Sequence, residues 1–217
     1  MGSVLGDLLP LAVGVAISPI PIIGAILMLL GKHARTTSIG FAIGWLGGIV
    51  IATTIFVLVG GAFGDSDSTV GAWIKLVLGV LLLAEGIREW RARGGEHSTP
   101  KWMAAIDEMK PLTALGLGFA LAAINPKNLM MCIAAGVTIG AAALSAGSNI
   151  VLVIVFALLA ATTVVIPVVA YQIAAQRLRD PLDRLKVWLE ANNKTVMATL
   201  ILVIGIVLIG KGISGLA

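Results

Sequence analysis

The sequence predicts an all-α integral membrane protein: six transmembrane helices in two inverted halves of three, each half opening on a broken helix. Three observations lead there. Of its 217 residues, 59% are apolar and 12% charged, with a mean hydropathy of +1.05, whereas a soluble domain carries about 25% charged residues to cover its surface. Six apolar runs come close to the ~20 residues that cross ~30 Å of hydrocarbon. Three segments of the first half recur, in the same order, in the second.

The first run, Val4 to Leu30, is long and interrupted by Pro19 and Pro21. A proline has no N–H and clashes with the carbonyl four residues back, so the helix should break near the bilayer centre and restart near Ile22. The second run, Ser38 to Gly60, carries Gly40, Gly44 and Gly48 at intervals of four. Such a small-residue face suits close packing inside the bundle or a homodimer. The third, Gly71 to Ile87, is short, with Trp73 at its mouth, and crosses with snorkelling ends. Glu85 at its end is placed to pair with Arg88 one turn on. The fourth run, Leu112 to Val137, is interrupted by Pro126, with a restart expected near Leu129. The fifth and sixth are Asn149 to Ala174 and Thr195 to Gly210. Thr53, Thr54, Thr162 and Thr163 either line a path or bond their own helix backbone.

Twelve of the 15 Lys and Arg residues fall in the first, third and fifth loops. Cytoplasmic loops retain Lys and Arg, so these loops are placed inside and, if all six runs cross, both termini outside. Were the interrupted runs re-entrant, the N-terminus would move inside. The segment before the first apolar run has no Lys or Arg, unlike a cleavable signal peptide, so it is kept in the mature chain. Ser98-Thr99-Pro100 and Arg179-Asp180-Pro181 each offer a capping side chain and a first-turn proline. The helices they open, with Trp102, Met103, Ile106 and Met109 in one and Leu182, Leu185, Trp188 and Leu189 in the other, have the spacing of interfacial helices.

The repeat aligns Leu8–Ile17 and Ser18-Pro19-Ile20-Pro21 with Leu115–Ile124 and Asn125-Pro126-Lys127-Asn128. It aligns Ala52-Thr53-Thr54 with Ala161-Thr162-Thr163, and Leu76–Ile87 with Leu202–Ile213. With three spans per half, the second enters from the opposite side, as in many transporters. The chain then divides into a first repeat over 1–94, a connecting stretch over 95–111 and a second repeat over 112–217. Broken backbone in hydrocarbon survives only where it is buried in protein or lines a wet cavity. The candidate substrate-binding residues are therefore Ser18, Pro19, Pro21, Asn125, Pro126, Lys127 and Asn128. A lysine near mid-membrane costs ~3 kcal/mol on insertion scales, so Lys127 should face a partner. An anionic headgroup is one, aided by the partial positive charge of the restarted helices; the carbonyls freed around Ile17 and Ile124 are another.

Pro100-Lys101-Trp102, Ile106-Asp107, Leu115-Gly116-Leu117-Gly118, Ser18-Pro19-Ile20-Pro21 and above all Asn125-Pro126-Lys127-Asn128-Leu129 resemble the actinobacterial GAP/Sap family, the glycopeptidolipid- and sulfolipid-addressing proteins within the LysE superfamily of exporters. The resemblance covers essentially the whole chain. It implies a bacterial inner-membrane protein that helps deliver a lipid, glycolipid or small amphiphile to the envelope. Export of amino acids or ions, or a non-transporting scaffold for envelope-lipid assembly, are the alternatives. Relatives in the superfamily also relay electrons through paired thiols, but thiol–disulfide exchange needs two and Cys132 stands alone. No cofactor, metal, enzymatic activity or nucleic-acid partner is expected; a homodimer is compatible with the glycine face.

Overall fold

The computed structural model describes residues 1–62, 68–92, 106 and 109–216. Over these the chain is helical: α1 (Gly2–Ala16), α2 (Pro19–Leu30), α3 (Ala34–Ala62), α4 (Ser68–Ala92), α5 (Pro111–Ala123), α6 (Pro126–Gly140) and α7 (Ala146–Ser214). Three helices, α3, α4 and α7, are long and apolar enough to cross a membrane. Counting the bent pairs α1–α2 (50°) and α5–α6 (62°) as one span each makes five. Leu58, Leu112 and Ile173, which are 70%, 78% and 84% exposed, have hydrocarbon as their natural solvent.

Both breaks stand where proline demands them, but the restart is earlier than expected. Pro19 and Pro126 are themselves the first residues of α2 and α6, not residues of a non-helical gap before Ile22 and Leu129. The reason is that a proline at the first helical position lacks only a donor that would be orphaned anyway. The helix must still stop upstream of it, and α1 and α5 end at Ala16 and Ala123.

α7 covers 69 residues as two helices joined at a kink. Its backbone leaves the helical region at Ala174 (φ −136°, ψ 46°), where the fifth apolar run ends. The interfacial helix expected to open at Pro181 instead begins just past Ala174 and runs on into the last span, with Pro181 inside it. Helical hydrogen bonding therefore overrides the local capping signal. Most of the corresponding stretch in the middle of the chain, including Trp102 and Met103, lies outside the described residues; Ile106 and Met109 are buried.

Close backbone contacts fix the packing, as they must where lipid gives helices no hydrophobic reason to associate. The glycine face of α3 is internal: Gly40 lies against Pro111 of α5, Gly44 against the Leu115 carbonyl, and Gly48 against Phe119 and Ala122. Farther along, Gly136 of α6 meets Phe56 and Gly140 meets Gly61. The pair α5–α6 thus advances along α3 without doubling back. α4 packs against the last part of α7 in antiparallel fashion, with Gly79 on Gly205, Gly86 on Leu202 and Gly212 on Leu76.

Candidate functional site

At the first break Ile17 N–H still donates to the Val13 carbonyl (2.9 Å) and Ser18 N–H to that of Val15 (3.2 Å). The Ala16 carbonyl, freed by the interruption, accepts the Thr163 hydroxyl from α7. The Thr163 hydroxyl thus does not bond its own helix backbone but repairs the break in a different helix. Ser18 sits at the N-cap of α2 in extended conformation and is buried, its side chain making no capping bond. Pro19 and Pro21 are buried beside it.

The second break is repaired from within. Ile124 N–H and Asn125 N–H both donate to the Ala120 carbonyl (2.9 and 3.0 Å), so Leu121 loses its helical donor. The Asn128 side-chain amide takes that place at 2.9 Å. Asn125 caps α6 by accepting from Lys127 N–H at 3.1 Å. Asn128 Oδ1 is buried with no partner, and Pro126 is exposed. The two breaks lie near one another, because α1 and α6 are in contact with Gly14 against Met131, each within about a turn and a half of its break.

Lys127 has a partner that neither sequence alternative named. Its ammonium donates to Glu89 Oε1 at 2.6 Å and lies 4.0 Å from Glu85 Oε1, with about a fifth of each side chain exposed. Glu89 stands three residues from the end of α4, so the lysine reaches toward the helix end. Glu85 also accepts from Arg88 at 2.8 Å, the one-turn pair expected. The sequence did hold a signal for Glu89: two carboxylates four residues apart share one helix face, and in an apolar span that pattern asks for a cation. A second charged group occupies the opposite end, where Lys211 Nζ donates to Asp7 Oδ1 at 2.5 Å and Lys75 lies close to both.

A concave apolar surface of ≈450 Å³ opens beside the first break, walled by Ile17, Ile22, Thr163, Ile166, Pro167 and Trp188 among others. Cys132 is wholly buried in α6 beside Thr53 of α3. Among the described residues no group of three or more His, Cys, Asp or Glu could hold a metal ion. What the site offers chemically is polar backbone repair, a neutralised lysine and an apolar groove, all suited to recognition.

A family profile described as "Sap, sulfolipid-1-addressing protein" matches residues 8–214. Comparison with curated proteins and with solved structures gives no match. With the apolar helices, the profile match makes this a multi-pass membrane protein of a lipid-related family.

Proposed function

Because the chain belongs to the Sap, sulfolipid-1-addressing protein family, we propose that it carries a lipid, glycolipid or small amphiphile across the bacterial cytoplasmic membrane toward the envelope. The observation that carries this reading is the pair of matching helix breaks, brought near one another by the contact of Gly14 with Met131, one of them opening onto an apolar groove. Broken helices at an interface between repeats are the common substrate site of transporters.

α7 counts as two crossings, before and after Ala174, which makes six. Support for the inverted repeat comes from α4 and the last part of α7. In the alignment of Leu76–Ile87 with Leu202–Ile213, Gly79 corresponds to Gly205, Gly86 to Gly212 and Leu76 to Leu202. The observed contacts pair Gly79 with its own counterpart, and Gly86 with Leu202 just as Gly212 with Leu76. A two-fold axis produces that reciprocity. The exporter assignment within the LysE superfamily, the absence of catalysis and the external placement of both termini belong to the same proposal. Lys127 serves as a headgroup anchor only by exchanging Glu89 for an anion of the cargo.

A non-transporting scaffold is favoured by one observation: the polar groups at the breaks are largely satisfied internally. Reconstitution separates the two. Purified chain in liposomes carrying lipid with a nitrobenzoxadiazole headgroup should expose inner-leaflet label to dithionite faster than empty liposomes do. Equal rates across neutral and anionic labelled lipids, with and without protein, would leave the scaffold.

A further inference from the structure

Beside α2 lies a second cavity, opposite in character to the groove at the first break. At the far end of α2 a pocket of ≈370 Å³ is lined by Lys32, His33, Arg35, Tyr171, Ala175 and Arg179, with neighbouring backbone. Three permanent positive charges meet there, and no carboxylate lines the pocket among the described residues. None of Lys32, Arg35 and Arg179 is in an ion pair among those residues. The turn that presents them is fixed: the His33 carbonyl accepts the Thr36 and Thr37 hydroxyls (3.2 and 2.9 Å), and the Arg35 carbonyl accepts from Gln172 of α7 at 3.4 Å.

The two cavities share a wall. Thr163 and Pro167 line the apolar groove and Tyr171 lines the basic pocket, and these three, four apart and all ahead of the break at Ala174, fall on one helix face; Ala175 and Arg179 join the pocket from beyond that break. α2 bridges them from the other side, Ile22 in its first turn belonging to the groove and Gly31 just past its end to the pocket. Its 12 residues span ~18 Å, comparable to the ~15 Å of hydrocarbon in one leaflet. A cationic pocket set about one leaflet's depth from an apolar groove, both along α2 and α7, matches one kind of molecule.

We propose that the pocket and the groove form a single site for an anionic membrane lipid, with its acidic headgroup among Lys32, Arg35 and Arg179 and its acyl chain along the groove to Ile17. This rests on the lipid-carrier reading and names the class of cargo. The guanidinium groups supply planar, bidentate donors for phosphate or sulfate oxygens. Trp188, half exposed on the groove wall, would touch the chain.

The test uses full-length, delipidated protein in detergent micelles, titrated with brominated-chain phosphatidylglycerol or phosphatidylcholine. Bromine quenches tryptophan on contact, and the Trp188→Phe variant isolates the Trp188 contribution from the other four tryptophans. Phosphatidylglycerol should quench at concentrations at least tenfold lower than phosphatidylcholine. Lys32→Gln with Arg179→Gln, both exposed and so tolerated by the fold, should erase that preference. Ile166→Trp, filling the groove from an exposed position, should weaken both lipids several-fold. Inorganic phosphate should not compete at matched concentration, since it lacks the chain. Equal affinity for the two lipids, a preference unchanged in the double variant, or competition by phosphate alone would each overturn the site. Selective binding without liposome flux would instead defeat the carrier reading and leave the site standing.

Discussion

Lys127 shows how a costly residue is made tolerable. Its charge is met at 2.6 Å by Glu89 and backed by Glu85 at 4.0 Å, so removing the lysine strands the largely shielded Glu89 carboxylate and leaves Glu85 with Arg88 alone. Removing one partner of a fully buried pair costs about 3–5 kcal/mol; with the partial exposure here, Lys127→Gln should cost about 2 kcal/mol. Glu89→Gln should cost less, because Glu85 remains for the ammonium. The double variant should recover part of the loss, a coupling that a thermal-unfolding cycle in detergent reads directly. Additive losses would mean that the pair does not form. The lysine was legible in the sequence as a residue in need of a partner, since a cation in an apolar run announces itself. Its partner was not, because Glu89 lies 38 residues away on another helix and periodicity says nothing about which helices meet. Thr163 and Ala16, 147 residues apart, escaped for the same reason.

Among the elements, α3 and α5 are held by contact of backbone with backbone. At Gly44 an added methyl group would run into the Leu115 carbonyl, which belongs to a helix backbone and cannot rotate aside. Gly47, one turn along and on another face, has nothing within 4 Å of the same position. Gly44→Ala should therefore destabilise by about 1–3 kcal/mol, the usual range for overpacking, while Gly47→Ala should be neutral or slightly stabilising through helix propensity. Melting temperatures in one detergent decide the matter; equal shifts would refute the contact. Proline made the break points readable, because its missing donor is a local fact. The extent of α7 was less readable: helical spacing showed a helix from Pro181 on, but not its earlier start past Ala174 or its run through the charged stretch into the last span, since charged residues are good helix formers wherever water or headgroups solvate them.

For the whole molecule, the six crossings proposed would put both ends of the chain on one face. With the basic loops inside, a reporter active only in the cytoplasm and fused after Ala217 should stay silent, and one placed in the 31–33 loop should be active. Activity at the C-terminus would reverse the orientation or change the number of crossings. The reciprocal packing of Gly79 and Gly205 has an ancestral consequence. If the proposed repeat holds, such a contact is what two separate three-span polypeptides would make across a two-fold axis, the covalent link between them being a later addition. The halves also grip each other through α3 against α5 and α6. A chain severed between Ala92 and Pro111 should accordingly reassemble when its two fragments are co-expressed, each pulling down the other from detergent extracts. Gly79→Leu, which would crowd the Ile209 and Gly205 backbone, should weaken that reunion more than it weakens the uncut chain, for in the cut form nothing but packing keeps the partners together.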